Sequence, residues 1–232
     1  MLDLLLPQRC VLCGAGGAQL CPGCAAALPP LDPPLCERCG APAAWPVRRC
    51  RECSGQRLAF AVARAAVAYD DAVRTIVAGW KEHGLRRFAG IAADVVAARV
   101  PAPSAELVTF VPADDDRRRR RGHHPAAELA IGLAARWSLP CEPLLLRTGE
   151  LPRQRGLTLA ERRRNVAHAF GSVETTARTV VLVDDVYTSG ATVNAAASAL
   201  RAAGARRVEV VTFARAIRTL GVGLQGRRTV PI

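Results

Sequence analysis

The sequence is poor in lysine, in aromatic residues and in long apolar runs. Lys81 is the only lysine, and aromatic side chains make up 4% of the 232 residues. A core with so few rings must be built mainly from Ala, Val and Leu, which suits an α/β sheet covered by Ala-rich helices. No run of about 18 uncharged apolar residues occurs, so we expect no transmembrane segment. The N-terminal residues MLDLLLPQRC lack the basic region of a secretory signal, and we expect a cytoplasmic protein.

The sequence also lacks the G-x-x-x-x-G-K-[ST] motif, because its only lysine follows Trp80. This absence excludes a P-loop NTPase. Positive charge, in contrast, is abundant: 32 basic against 20 acidic residues give a formal net charge of +12 and a pI near 10.3. Such a balance favours an anionic partner, whether a nucleic acid, a phosphorylated metabolite or an acidic surface.

Cysteine is concentrated at the N-terminal end of the chain. Eight of the nine cysteines form four Cys-x-x-Cys pairs within residues 1–57: Cys10 and Cys13, Cys21 and Cys24, Cys36 and Cys39, Cys50 and Cys53. In a reducing compartment this spacing favours closed, structural zinc sites over disulfides or free thiols. A segment this short cannot bury enough apolar surface to fold unaided, so metal would decide its folding. We predict two zinc ions. Pairing of neighbouring motifs is the simplest arrangement, and an interleaved one stays open.

The charge of this zinc module is low. Residues 1–60 carry six Arg and four Asp or Glu, and two Zn²⁺ ions with four thiolates each would bring their net charge to about −2. The basic surface is therefore assigned to the later domain. For the zinc module, docking to a partner or formation of a homo-oligomer is favoured over binding of nucleic acid.

From Phe60 onward, apolar strand-like runs alternate with Ala-rich helical stretches. The alternation predicts βαβ units and a mainly parallel sheet with helices on both faces, in a domain that covers residues 58–220 and is followed by a tail at 221–232. The predicted strands are 61–68, 107–111, 179–183 and 208–213. The predicted helices are 88–98, 126–136 and 191–203, the last one ending at Gly204.

The most informative segment follows the third predicted strand. Two aspartates end this strand, and a seven-residue loop leads into the next helix: Asp184 and Asp185, then Val186, Tyr187, Thr188, Ser189, Gly190, Ala191 and Thr192. Ligands of α/β sheets bind beyond the carboxyl ends of strands, and a helix N-terminus attracts anions. The loop can hold a phosphate, and the aspartates can accept hydrogen bonds from ribose hydroxyls. The alternative, a capped strand with solvated acids, explains each feature but not their ordered combination.

Two further basic features accompany this segment. Residues 114–125 read DDDRRRRRGHHP, in which a cluster from Arg117 to Arg121 can clamp pyrophosphate or a nucleic-acid backbone. A solvated charge run is the alternative. We expect His123 and His124 to be solvent-exposed loop residues, and we expect Lys81 to approach pyrophosphate from another loop.

The strand, the paired acids and the TSGAT loop resemble the phosphoribosyltransferases, and the whole chain is similar to the ComF family of competence proteins. The wider resemblance includes the zinc knuckles and residues 69–76, 111–112, 154–165, 170 and 212–215. It implies a type I phosphoribosyltransferase fold that binds 5-phosphoribosyl 1-pyrophosphate with Mg²⁺. Asp184 and Asp185 would hold the ribose hydroxyls, residues 188–192 the 5′-phosphate, and residues 154–165 a hood over the site. The chain has RRGHHP where the family usually has R-R-G-F-N-Q.

Two functions are consistent with this sequence. One is an enzyme that uses phosphoribosyl pyrophosphate, or runs the reverse hydrolytic chemistry, on an acceptor that no residue identifies. The other is a non-catalytic protein of bacterial DNA uptake, whose basic domain binds single-stranded DNA and whose zinc module docks a helicase partner, as the ComF resemblance implies. The shortage of aromatic rings for base stacking favours the sugar phosphate at the site itself.

Overall fold

A computed structural model of the chain describes residues 8–113, 122–148 and 169–217. Its strands are β1 (Val62–Ala68), β2 (Leu107–Phe110), β3 (Leu145–Arg147), β4 (Phe170–Ser172), β5 (Thr179–Tyr187) and β6 (Arg207–Arg215). Four of them form one sheet in the order β1-β6-β5-β2, and all neighbours are parallel. The predicted parallel sheet is therefore confirmed. The short antiparallel pair of β3 and β4 was not predicted.

The helices are α1 (Pro22–Ala26), α2 (Asp71–Glu82), α3 (Phe88–Arg99), α4 (Pro125–Trp137) and α5 (Ala191–Ala202). The last three confirm the predicted helices to within one or two residues. α2 is an addition. Asp70 caps it by accepting a hydrogen bond of 2.8 Å from the N–H of Val73, and Ile76 and Trp80 lie on its buried face.

The sheet is buried on both faces, as β5 illustrates. Val181 and Val183 pack into the core with residues of α2, α3 and α4, whereas Val180 and Leu182 pack with residues of α5, β3 and β4. Successive side chains of a strand point to opposite faces, so an uninterrupted aliphatic run is what a doubly covered strand requires. The prediction of helices on both faces is confirmed.

The N-terminal cysteine-rich segment packs against the sheet domain. Leu20 and Leu28 belong to the same core as α2, α3 and α4, and the N–H of Ala63 in β1 donates to the carbonyl of Arg38 at 2.9 Å. Among the described residues, no helix is long and apolar enough to cross a membrane. The domain boundary at 57/58 stays a prediction, and the predicted tail at 221–232 lies outside the described residues.

Candidate functional site

The acid pair lies inside β5 rather than at its end. β5 continues beyond Val183 and stays paired with β6 as far as the register position Tyr187–Arg215. The expectation that the strand ends at the two aspartates was wrong, because β6 is long enough to keep hydrogen bonding to β5 as far as Tyr187. Of the predicted seven-residue loop, two residues belong to β5, two begin α5, and only Thr188, Ser189 and Gly190 form the connection, which we call the phosphate loop.

The two aspartates have different surroundings. The Nζ of Lys81 lies 2.5 Å from Oδ1 of Asp185, while Asp184 accepts a hydrogen bond of 2.9 Å from the N–H of Asp185. Burial, followed by the negative charge of Asp185, raises the pKa of Asp184 to about 7, against the lowering effect of Lys81 and Arg147. One carboxylate is thus neutralised by an ammonium, and the other changes its charge near neutral pH.

Lys81 reaches this site from a helix, not from a loop as expected. Lys81 lies in the last turn of α2. The residue before it, Trp80, is fully buried, and its ring meets that of Phe213 edge-on with 6.5 Å between the ring centroids. The buried indole anchors the end of the helix, so the ammonium projects from a rigid element. Arg147 of β3 is a second cation near Asp184, and no sequence signal had singled it out.

Position 190 requires a glycine for two reasons: the conformation of its backbone and the closeness of Tyr187. Its φ of +75° lies in the left-handed region, and a Cβ at this position would lie 2.2 Å from the hydroxyl oxygen of Tyr187. Tyr187 is itself buried, with its ring edge-on to Phe60 at 6.4 Å, and burial raises its pKa to about 12. The phosphate loop therefore rests on a buried tyrosine that remains protonated. In the loop, the Oγ of Ser189 accepts a hydrogen bond of 3.3 Å from the N–H of Ala191, and Thr188 is exposed.

The two histidines after the arginine cluster are not exposed loop residues, and that expectation was wrong. His123 is 6% exposed, with Nδ1 3.3 Å from Oε2 of Glu128 one turn into α4. His124 caps α4, because its Nδ1 accepts from the N–H of Ala127 at 3.0 Å. The Glu128 carboxylate and the N-terminal end of α4 thus provide the polar partners that these two imidazole rings need away from solvent. Arg117, Arg121 and the proposed hood at 154–165 lie outside the described residues.

The eight N-terminal cysteines form two separate clusters. In each, the four sulfurs lie within 4.8 Å of one another; the members are Cys10, Cys13, Cys21 and Cys24 in the first cluster, and Cys36, Cys39, Cys50 and Cys53 in the second. Neighbouring motifs therefore pair, and the interleaved alternative is ruled out. Sulfur–sulfur distances of 3.5 to 3.9 Å are too long for disulfides and match tetrahedral sites, where Zn–S bonds of about 2.3 Å set the sulfurs about 3.8 Å apart. Both clusters fit a structural zinc ion.

A parallel sheet with acids at the end of one strand and a helix start beyond it defines an α/β domain suited to phosphorylated ligands. Comparison with protein families agrees with this class. Residues 55–222 match the phosphoribosyl transferase domain, and residues 1–54 match the double zinc ribbon domain. The first of these matches covers well over half of the chain, which therefore belongs to the phosphoribosyl transferase domain family.

Nine chains of solved structures also match. One is a glutamine phosphoribosylpyrophosphate amidotransferase from B. subtilis complexed with ADP and GMP, 28% identical over 56% of this chain and 26% of that chain, with a TM-score of 0.37. Another is described as the allosteric regulatory enzyme of purine biosynthesis, 26% identical over 56% of this chain and 25% of that one, with a TM-score of 0.35. The chain thus spans about a quarter of the length of each. No curated protein matches it.

Proposed function

We propose that the chain is a ComF-type member of this family that binds 5-phosphoribosyl 1-pyrophosphate, or a related sugar phosphate, at the carboxyl edge of its sheet. The observation that carries the proposal is the grouping of Lys81, Asp184 and Asp185 directly before the phosphate loop and the start of α5. Acceptors for sugar hydroxyls and an anion-binding helix start then lie within one short stretch of backbone, and a cation from α2 contacts that stretch.

In this proposal each part of the stretch has its own role. Asp184 and Asp185 accept hydrogen bonds from the ribose hydroxyls, and residues 188–192 hold the 5′-phosphate with backbone N–H groups and hydroxyls. Lys81, and the arginines from Arg117 to Arg121, supply positive charge for the pyrophosphate. Val186 and Tyr187 support the phosphate loop from within β5. Residues 1–57 form the zinc ribbon and 58–220 the phosphoribosyltransferase-like domain.

The residues at the site also suit a magnesium ion bound together with the ligand. Carboxylate oxygens are the side-chain ligands that Mg²⁺ prefers, and the ion usually binds through one or two of them plus phosphate oxygens. When bound, Mg²⁺ would neutralise the charge that develops on a departing pyrophosphate. Among the described residues, Lys81 and Arg147 are cations near the acid pair, so the protein itself would supply part of the same neutralisation.

Thermal unfolding with phosphoribosyl pyrophosphate and Mg²⁺ tests the proposal. A ligand at about a hundred times its Kd stabilises a protein by about 2.7 kcal/mol, so the wild type should melt several degrees higher. The shift should be absent in the double variant Asp184→Asn, Asp185→Asn. Asp94→Asn is the matched control, because Asp94 is an exposed carboxylate of α3 that pairs with Arg136 and belongs to neither β5 nor the phosphate loop. An unchanged wild-type melting point, or an equal shift in the double variant, refutes the site.

A second candidate function, binding of single-stranded DNA during DNA uptake, is favoured by a basic cleft. The cleft has a volume of about 830 Å³ and lies at the amino ends of β1 and β6, the sheet edge opposite the phosphate loop. Five arginines line it against two glutamates, one of which pairs with Arg207 at 2.7 Å; the arginines are Arg38, Arg48, Arg49, Arg64 and Arg207. Three of the five belong to the zinc ribbon, although the basic surface was expected in the later domain. Under this proposal the ribbon also docks a helicase partner.

The salt dependence of DNA binding tests this second candidate. For single strands, log K falls with log salt with a slope of about −0.7 per phosphate contact. The exposed pair Arg48 and Arg49 should contribute, so the variant Arg48→Ser, Arg49→Ser should flatten the slope by about 1.4 units if each arginine makes one phosphate contact. Arg74→Ser on α2 is the control, because this exposed arginine lies outside the cleft. Binding that does not respond to salt refutes the candidate.

A further inference from the structure

Arg215, the last residue of β6, is anchored in the zinc ribbon. Its side chain is almost completely buried, and its guanidinium donates to the carbonyl of Cys39 at 2.7 Å and to Oε2 of Glu52 at 2.7 Å. It also lies 3.7 Å from the sulfur of Cys39, one of the four cysteines of the second cluster. A buried guanidinium needs partners of this kind, because an uncompensated charge in the interior is strongly unfavourable.

The same guanidinium supports the residue on which the phosphate loop rests. Its Cζ lies 4.3 Å from the ring centroid of Tyr187, a close cation–π contact. Tyr187 and Arg215 also lie opposite each other where β5 pairs with β6, and the N–H of Ala216 donates to the carbonyl of Tyr187 at 2.9 Å. Since the Tyr187 hydroxyl occupies the space beside Gly190, a displaced Arg215 would move the tyrosine and then the loop.

A second link joins the zinc ribbon to α5. Oδ1 of Asn194, in the first turn of this helix, accepts from the N–H of Ala59 at 2.7 Å, and its amide donates to the carbonyl of Arg57 at 3.2 Å. Residues 57 and 59 follow directly on the second cysteine cluster. Both ends of the phosphate loop, the end of β5 and the start of α5, are therefore tied to the same part of the ribbon.

The first cysteine cluster is attached elsewhere. Arg99, at the end of α3, donates to the carbonyls of Leu28 and Ala25, at 3.1 and 3.4 Å, in the segment that follows Cys24. This arginine is partly buried, and its two hydrogen bonds go to this segment rather than to the phosphate loop or Tyr187. The two arginines thus make the same kind of contact between the ribbon and the sheet domain, and only one leads to the candidate site.

We propose that Arg215 is a positioning residue that couples the Cys36, Cys39, Cys50 and Cys53 cluster to the phosphate loop, so that an intact second cluster is required for tight sugar-phosphate binding. Four thiolates around a zinc ion carry a formal charge of −2, for which Arg215 is a buried counter-cation. The coupling itself depends only on the contacts described, whereas its effect on affinity rests on the proposed function.

The experiment compares Arg215→Met with the matched control Arg99→Met, both with zinc bound. Amide hydrogen exchange of residues 187–192 is measured without ligand, and the Kd for phosphoribosyl pyrophosphate with Mg²⁺ is measured by calorimetry. In Arg215→Met we expect exchange at least tenfold faster in this segment and a Kd at least tenfold weaker, a change of about 1.4 kcal/mol. In Arg99→Met both quantities should stay within twofold of the wild type, although its melting temperature falls.

Glu52→Gln provides a milder test if Arg215→Met does not fold. It keeps a hydrogen-bond acceptor for Arg215 but removes the charge, and Glu52 is 21% exposed. We expect the same two changes at about threefold. Unchanged exchange and affinity in the folded variants, or equal changes in Arg99→Met, overturn the coupling. Faster exchange in Arg215→Met with a wild type that does not bind the ligand supports the coupling and refutes only the proposed function.

Discussion

The ammonium of Lys81 lies 2.5 Å from the carboxylate of Asp185 and joins two elements that are 104 residues apart in the sequence. Both side chains are mostly buried, with 23% and 15% of their surface exposed. The pair connects the end of α2 to the acid pair of β5. A sugar phosphate that engages Asp185 would therefore meet a carboxylate already oriented by a cation, in a site that is electrostatically assembled without ligand.

Removal of the lysine charge should affect both aspartates. In Lys81→Met, the pKa of Asp184 should rise above its wild-type value of about 7, because Lys81 lowers it in the wild type. Binding of phosphoribosyl pyrophosphate at pH 7.5 should weaken at least tenfold. The pKa is measured by carboxyl carbon NMR and the affinity by calorimetry. Lys81→Arg, which keeps the charge, should recover most of the affinity; a Lys81→Met variant with wild-type values of both quantities contradicts the prediction.

The raised pKa of Asp184 predicts that stability depends on pH. The folded-state pKa of about 7 exceeds the ordinary value of 3.8, so above pH 7 the folded chain holds a partly buried charge that the unfolded chain hydrates. This unfavourable contribution to the free energy of unfolding has its full size at pH 8. It decreases as the pH falls through 7 and disappears below pH 3.8. Asp184→Asn should raise the free energy of unfolding by at least about 1 kcal/mol at pH 8, and this difference should shrink by about half at pH 5.5.

Urea unfolding of both proteins at pH 5.5, 7 and 8 measures the effect. Asp94→Asn provides the comparison, since this exposed carboxylate should give a difference that hardly changes over the same range. A stabilisation by Asp184→Asn that grows as the pH falls has the wrong sign and would contradict the prediction.

Gly190 should not tolerate a side chain. In Gly190→Ala the left-handed φ and the contact with the Tyr187 hydroxyl should together destabilise the protein by about 2 to 4 kcal/mol and abolish sugar-phosphate binding. Gly90→Ala, within α3, is the matched control, because no atom lies within 4 Å of the added carbon and the helix gains about 0.5 to 1 kcal/mol. Thermal melting measures both. Equal melting temperatures for the two variants would show that the loop conformation is not required.

Zinc removal should unfold the N-terminal module. We expect two zinc ions per chain by plasma emission analysis, one in Cys13→Ser, and two in the control Cys141→Ser, whose cysteine belongs to neither cluster. Because structural zinc supplies about 10 to 16 kcal/mol in small zinc domains, a strong chelator should abolish protection of the ribbon amides from hydrogen exchange. A ribbon that stays protected without metal, or a stoichiometry of two in Cys13→Ser, contradicts the prediction.

The sequence predicted those parts of the fold whose signal is local. The aliphatic run before Asp184 predicted β5, and the four Cys-x-x-Cys pairs predicted two metal clusters, because each pattern reports its own surroundings. α2 also has a local signal: Val73, Ile76, Val77 and Trp80 have helical spacing, with Asp70 as a cap.

The rest depended on contacts between distant segments. The burial of His123 needed Glu128 as a partner, and the position of Arg147 near Asp184 followed from the pairing of β3 with β4. Arg215 is 176 residues from Cys39, and nothing in either segment indicates the other. Sequence patterns indicated candidate ligand-binding residues, but they could not show which residues hold these candidates in place.

The strand order β1-β6-β5-β2 has a consequence for synthesis on the ribosome. β6 pairs with both β1 and β5, yet it is the last strand of the sheet to be made, so β1 and β5 have no neighbour in common until residue 215 has left the exit tunnel. The zinc ribbon can bind metal long before that moment. A nascent chain would thus carry a finished metal module in front of β1 and a β2–β5 pair, whose edges facing β6 are exposed to aggregation until that strand inserts between them.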